Sequence, residues 1–221
     1  MTEEIQEGIR VQARELLGQG EVACVIGFER SPKGRVRPVF IHDEPAAGQL
    51  VWDQSCHHNL MVYLRDWVAP IRRRGGSARV AVVAKPCDVR ALNLLIHEEQ
   101  VTRDEVFVIG LSCPGMLASE GLQAHCERCR ERVPVSYDVL IGKPPQVEGD
   151  DEAWADVVEI ETMTAAGRLA WWASEFDRCI RCYACRQACP GCYCVECLAE
   201  QVDPQWVSIA HGVSQKAFFQ L

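Results

Sequence analysis

The sequence predicts an α/β fold: an N-terminal α/β domain with a partly parallel sheet, followed by a small, cysteine-rich C-terminal module. Three observations carry this. Arg79–Ala84 and Val106–Leu111 are short, unbroken apolar runs of the kind found in strands covered on both faces. Between them Asp88 to Gln100 has helical spacing, and strand, helix and strand in about 30 residues make a parallel unit with a right-handed crossover. Finally, seven of the 13 cysteines fall within 19 residues near the carboxyl end.

The remaining elements follow in order. Ile5, Ile9, Ala13, Leu16 and Leu17 are spaced for one helical face, and Gly18 and Gly20 end the run. Val22–Phe28 and Val36–Ile41 are apolar stretches separated by Pro32 to Arg35, which predicts a hairpin. Leu60, Tyr63, Leu64 and Trp67 predict a second helix over residues 59–68. The Arg72-Arg73-Arg74 run before Gly75-Gly76 reads as a solvated turn. Lys143-Pro144-Pro145 opens an acidic stretch through Glu152, read as a linker, and Val157–Thr162 is expected to be a strand. Ala165–Phe176 is an amphipathic helix leading into the cysteine run, and residues 205–219 form a last helix or coil. The domains are thus expected at 1–142 and 165–221, joined through 143–164.

Composition narrows the function classes. A net charge of −8 disfavours nucleic acid as the main partner. With no signal-like leader and no apolar run of about 18 residues, the cysteines point to a cytoplasmic protein rather than a secreted disulfide scaffold. Neither a Ser/His/Asp set nor a Gly-x-Gly-x-x-Gly or Walker-type loop is visible.

The chemistry lies in the thiols. Cys179-x2-Cys182-x2-Cys185-x3-Cys189-Pro190 has the spacing of a bacterial ferredoxin run. Cysteines at i, i+3 and i+6 of a straight helix would fan apart, so this segment must wrap as a loop with backbone N–H groups aimed at the sulfurs. Zinc sites use pairs of cysteines, or a pair with histidines, rather than two consecutive x2 gaps. Cys179, Cys182 and Cys185 are therefore assigned to a 4Fe–4S cluster. Its fourth ligand stays open: Cys189, one of Cys192, Cys194 and Cys197, or a partner chain. Cys189, Cys192, Cys194 and Cys197 could alternatively form a separate four-thiolate site. Trp171, Trp172, Phe176, Tyr183 and Tyr193 would shield a cluster or simply pack, and Arg178, Arg181 and Arg186 would offset its charge or stay solvated.

A second set is spread along the α/β domain. Cys87 and Cys113 follow the two buried strands, so parallel pairing would deliver both to one carboxyl edge, where such sheets bind ligands. Cys126-x2-Cys129 offers two more thiols, and spacing alone fits a zinc knot as well as a cluster. Cys24 is expected in the core, and Cys56 is expected as a loop thiol beside solvent-facing His57 and His58. Lys85 and Asp88 flank Cys87 as turn and cap residues or as groups that tune a bound cofactor.

Lys85-Pro86-Cys87-Asp88-Val89-Arg90-Ala91-Leu92, then Gly110-Leu111-Ser112-Cys113-Pro114-Gly115, Cys126-x2-Cys129 and Asp138-Val139-Leu140-Ile141-Gly142 together resemble the β-subunit family of deazaflavin-reducing hydrogenases and formate dehydrogenases over residues 10–142. That resemblance implies one 4Fe–4S cluster on Cys87, Cys113, Cys126 and Cys129, beside an FAD. The long flavin-holding segment that follows in the family has no room here, which leaves FAD optional and counts against deazaflavin. The expected function is an electron-transfer subunit with two 4Fe–4S clusters and no substrate chemistry of its own. Its partners would be protein subunits of a hydrogenase, formate dehydrogenase or heterodisulfide-reductase-like complex. The alternatives are an FAD-bearing reductase subunit, a zinc-binding scaffold or assembly protein, and a thiol–disulfide enzyme using Cys126 and Cys129.

Overall fold

The computed structural model describes residues 2–76, 78–145, 154–207 and 212–220. The acidic stretch at 149–152, and the terminal apolar run at 218–221 as far as its side chains go, lie outside the described residues. The chain divides into two compact units, Met1–Gly149 with Ala188–Gly191, and Asp150–Gln187 with Cys192–Leu221.

The first unit is an α/β sheet. Helix α1 (Thr2–Gly18) buries Ile5, Ile9, Ala13 and Leu16, the face its spacing predicts. Strands β1 (Cys24–Arg30) and β2 (Val36–Ile41) pair antiparallel, as a hairpin requires. Helix α2 (Met61–Arg73) buries Met61, Leu64 and Val68 and runs a turn past its expected end, with Pro70 inside it. Arg72 is exposed but anchored, since its guanidinium pairs with Glu105 at 3.3 Å and donates to the Glu99 and Gln100 carbonyls. It therefore ties α2 to the next crossover instead of ending in a free turn.

Strand β3 (Val80–Ala84) is buried at all five positions, the signature of a strand covered on both faces. It feeds helix α3 (Pro86–His97), where Pro86 takes an early helical position that needs no backbone donor. Strand β4 (Val106–Leu111) follows, then the short helix α4 (Ala124–Glu127) and strand β5 (Val139–Ile141). The sheet order is β2-β1-β3-β4-β5, with every pairing parallel except that of β1 and β2. Helix α1 lies against β1, β3, β4 and β5, whereas α2 and α3 pack on β3 and on each other. Register sets Ala84 beside Gly110, so the chain leaves β3 and β4 at one shared edge. That edge positions the thiols.

The second unit holds α5 (Ala155–Thr162), α6 (Ala165–Asp177), α7 (Ala184–Ala188) and α8 (Val213–Gln220). The expected strand at Val157–Thr162 is thus a helix. Alternating Val158, Glu159, Ile160 and Glu161 imitates a strand period, but Ala155 and the glutamates favour helix and no strand partner pairs with the segment. Thr164 caps α6 by accepting from the Gly167 N–H at 3.1 Å. Helix α8 packs on α6, and the buried Lys216 donates to the Asp177 carbonyl at 2.7 Å.

Cys24 is fully buried in β1, and burial pushes its thiol from 9.0 to about 12. The unfolded chain releases that proton at lower pH than the folded chain does. Between pH 9.0 and about 12 the folded state therefore binds more protons. The Cys24 contribution to stability is complete below that window and is lost as pH rises through it, with a slope of up to about 1.4 kcal/mol per pH unit. Denaturant titrations across this range should show a shallower alkaline decline for Cys24→Ala than for the parent chain; equal slopes would refute the assignment.

Candidate metal centres

The carboxyl edge of the first unit gathers the dispersed cysteines. Cys87 lies in the first turn of α3, Cys113 just beyond β4, Cys126 in α4 and Cys129 two residues after its end. Cys113 and Cys126 are each only 7% exposed, while Cys87 reaches the surface. Protein packed around the Cys87 sulfur, and then the Asp88 charge, push its thiol up to about 12. Cys113 and Cys126 both act electrostatically on Cys87, and Cys126 acts on Cys113, so three thiols from separate segments share one neighbourhood. Cys129 sits at its margin, its thiol donating to the Glu131 carbonyl at 3.3 Å.

Backbone amides turn toward these sulfurs. The Met116 N–H donates to Cys126 Sγ at 3.4 Å, and the Gly115 N–H donates to Cys113. Gly115 adopts φ +102°, a conformation open to glycine, as the loop doubles back. The loop is then closed by Cys113 N–H to the Arg132 carbonyl at 2.9 Å and by the Arg132 guanidinium to the Cys126 carbonyl at 3.2 Å.

Beneath the edge lies a buried ion pair. Lys85 Nζ is 2.9 Å from Asp88 Oδ2 and donates to the His58 carbonyl at 2.8 Å, and the two side chains are 2% and 0% exposed. Asp88 also accepts from the Lys85 backbone N–H at 2.8 Å, closing the first turn of α3. Burial opposes both charges and pushes the Asp88 carboxyl up. At Lys85 the same burial is outweighed by Asp88 and the surrounding thiols, which hold the ammonium above its ordinary range. The cap role read for this pair is therefore present, and Lys85 also lies among the thiols. Cys56 is the expected loop thiol, and it is fully buried, accepts from the Asp53 N–H at 3.4 Å, and is pushed by burial to about 12. His57 and His58 are exposed around it, as the sequence suggested.

The Asp138-x-x-x-Gly142 motif has a structural purpose. Asp138 Oδ2 accepts from the Val108 N–H at 2.7 Å and pairs with Arg103 at 2.8 Å, while Oδ1 meets Arg79 at 3.2 Å. One carboxylate thus pins β5 beside β4. Gly142 has φ +94°, and a Cβ there would stand 2.6 Å from Ser112 Oγ, next to Cys113.

In the second unit, residues 178–183 form the wrapping loop that the spacing requires. Arg181 and Tyr183 take left-handed φ values of 54° and 62°, and the Arg181 N–H donates to Cys179 Sγ at 3.4 Å. Cys185 falls in α7. Cys189 lies in the segment Ala188–Gly191, which groups with the first unit. Arg186 is engaged rather than solvated: it pairs with Glu200 at 3.2 Å, bonds the Cys192 side chain and senses Cys197. Trp172 stacks on Phe176 with ring centroids 5.7 Å apart and stays 43% exposed, so these aromatics are not ordinary core.

Among the described residues, no three His, Cys, Asp or Glu side chains form a group that could hold a metal ion. A four-iron cube spreads its ligand sulfurs more widely than a single ion does. The residues at the first edge fit such a cluster by their chemistry, with soft thiol donors, N–H groups aimed at sulfur and nearby cations. Lys85 was legible as a candidate from its place before Pro86-Cys87; Arg132 was missed, because nothing in the sequence marks an arginine that folds back over a cysteine loop.

The family described as the C terminus of the coenzyme F420 hydrogenase/dehydrogenase beta subunit matches residues 77–192, more than half of the chain. The chain belongs to that family. The match runs past residue 142, where the resemblance was expected to end. Relatives include the F420-dependent formate dehydrogenase 1 subunit beta of Methanococcus maripaludis, 23% identical over 235 aligned positions covering 62% of this chain and 61% of that subunit. The F420-dependent formate dehydrogenase subunit beta of Methanocaldococcus jannaschii is 21% identical over 222 positions covering 56% and 57%. The chain thus spans about six tenths of the length of these relatives. No helix among the described residues is long and apolar enough to cross a membrane.

Gly142→Ala should force a side chain into both a disfavoured φ and the Ser112 hydroxyl, costing about 1–3 kcal/mol. Gly75, at φ +72° with nothing within 4 Å of its added Cβ, supplies the conformational control. A larger fall in denaturant midpoint for Gly142→Ala than for Gly75→Ala is expected; equal falls would show that the contact contributes nothing.

Proposed function

We propose that the chain is an iron–sulfur electron-transfer subunit of a multi-subunit oxidoreductase, relaying single electrons through two 4Fe–4S clusters. One is held by Cys87, Cys113, Cys126 and Cys129, the other by Cys179, Cys182, Cys185 and Cys189. The observation that carries the reading is the gathering of thiols from the α3, β4 and α4 segments at one sheet edge, in a chain of a hydrogenase/dehydrogenase β-subunit family. Each bound cluster supplies a one-electron carrier whose potential depends on its surroundings.

The chain's own residues do the rest. The β3 and β4 carboxyl ends fix the positions of Cys87 and Cys113, the Gly115 and Met116 amides donate to sulfur, and Arg132 closes the loop between Cys113 and Cys126. The partners are protein subunits of a redox complex: a formate dehydrogenase, as the relatives' names suggest, a hydrogenase, as the family's description suggests, or a heterodisulfide-reductase-like assembly.

The test is iron, acid-labile sulfide, zinc and flavin per chain after anaerobic purification. About eight iron and eight sulfide, on four of each per cluster, support two clusters. Cys113→Ala should lose half of both, and Cys182→Ala the other half. One zinc in place of four iron would make the first edge a structural site and sink this assignment there. One FAD per chain would replace the simple carrier with a reductase subunit that splits electron pairs.

A further inference from the structure

Two cations are built into the first thiol edge, and each enters it from a different direction. Lys85 lies below, 2% exposed, fixed by Asp88 at 2.9 Å and the His58 carbonyl at 2.8 Å, with the Phe28 ring 5.0 Å from its ammonium. Arg132 closes the rim. Its carbonyl accepts from the Cys113 N–H at 2.9 Å, and its guanidinium reaches the Cys126 carbonyl at 3.2 Å. A Cβ on Gly115 would stand 3.1 Å from Arg132 Nη1, which places the guanidinium directly over the turn that carries the Cys113 loop. Both cations act electrostatically on Cys113, and Lys85 acts on Cys56 and Cys87 as well.

A surface arginine or lysine has ample solvent to face. Here Arg132 is held by a backbone carbonyl of the loop that carries Cys126, and Lys85, beside Cys87 in sequence, is tied to the His58 carbonyl and almost wholly enclosed. Ordering two cations against neutral thiols returns little. Against thiolates and the net negative charge of a four-iron cluster it returns much more, because the enclosed setting screens weakly.

We propose that Lys85 and Arg132 set the reduction potential of the cluster held by Cys87, Cys113, Cys126 and Cys129. This rests on the proposed function and deepens it. They are positioning residues that ligate nothing. A fixed positive charge favours the more negative, reduced state, so the pair raises the potential. Asp88 works in the opposite sense from the Cys87 side, which makes the buried pair a dipole laid across the edge. The electrostatic field at the cluster would thus be more positive on the Cys113 and Arg132 side than on the Cys87 side.

The experiment is a redox titration of the full, anaerobically purified chain, followed by electron paramagnetic resonance, with iron and sulfide counted in every variant. Cys113→Ala supplies the signal of the C-terminal cluster alone, so the signal it removes belongs to the first edge. Arg132→Gln should keep the iron and lower the midpoint by at least a tenfold change in the reduction equilibrium, about 59 mV for a one-electron couple. Arg132→Lys should stay within that margin. For the buried cation, Lys85→Met is made in an Asp88→Asn background and compared with Asp88→Asn alone, so that no unpaired carboxylate is left behind. The double variant should have the lower midpoint. Unchanged midpoints, or an Arg132→Lys shift as large as that of Arg132→Gln, would overturn the proposal and leave these residues structural. If Cys113→Ala retains all the iron of the parent, no cluster sits at this edge, and the proposed function fails first.

Discussion

The carboxyl edge of the sheet depends on the buried contact between Lys85 and Asp88. Two opposite charges at 2% and 0% exposure pay a desolvation cost of several kcal/mol each, recovered only through close pairing and further hydrogen bonds. The pair meets that demand by serving three elements at once. Asp88 closes the first turn of α3, Lys85 tethers the His58 segment, and Phe28 of β1 lies beneath the ammonium. Exchanging the pair for apolar residues would keep the volume but release the loop holding Cys56 and the turn holding Cys87. The charge is retained where it fixes several backbones, a registering role rather than a stabilising one.

The fold was legible where burial is two-sided. Val80–Ala84 and Val106–Leu111 have no polar residue, so period and length leave little choice but strand, and their parallel pairing follows from the helix between them. The same apolar runs place Cys87 and Cys113 at one edge from sequence alone. This reasoning failed at Val157–Thr162, where alternation of valine and isoleucine with glutamate fits either period, and the helix preference of Ala155 and the glutamates prevails where no described strand pairs with the segment. It was silent on β5, three residues whose pairing is dictated by Asp138 reaching back to Val108 and two arginines. Cys56 was read correctly as a loop thiol beside two exposed histidines, but its full burial has no local signature in the sequence.

The cysteine run shows a different balance. Spacing fixes that Cys179, Cys182 and Cys185 cannot share a straight helix, and the chain answers with two left-handed residues, neither of them glycine. That backbone cost, of order 1–3 kcal/mol each, persists only where the surroundings enforce it. What the spacing could not give is the surroundings themselves. Arg186 joins α7 to Glu200 and Cys192 through contacts that have no local signature.

Among the described residues of the second unit, only Val207 and Lys216 are buried, while Ile180, Val195 and Val202 are 79%, 92% and 81% exposed. The described residues thus supply few buried contacts to offset the entropy of ordering the chain, and small domains with little interior lean on a covalent or metal staple. On the proposed function that staple is the cofactor itself, and insertion of iron and sulfide becomes the folding step for this half of the molecule. Shortage of iron or a burst of oxidant would then be registered as loss of shape, presenting six thiols and a ragged apolar surface to the cell's proteases. Quality control of the carrier would need no dedicated sensor.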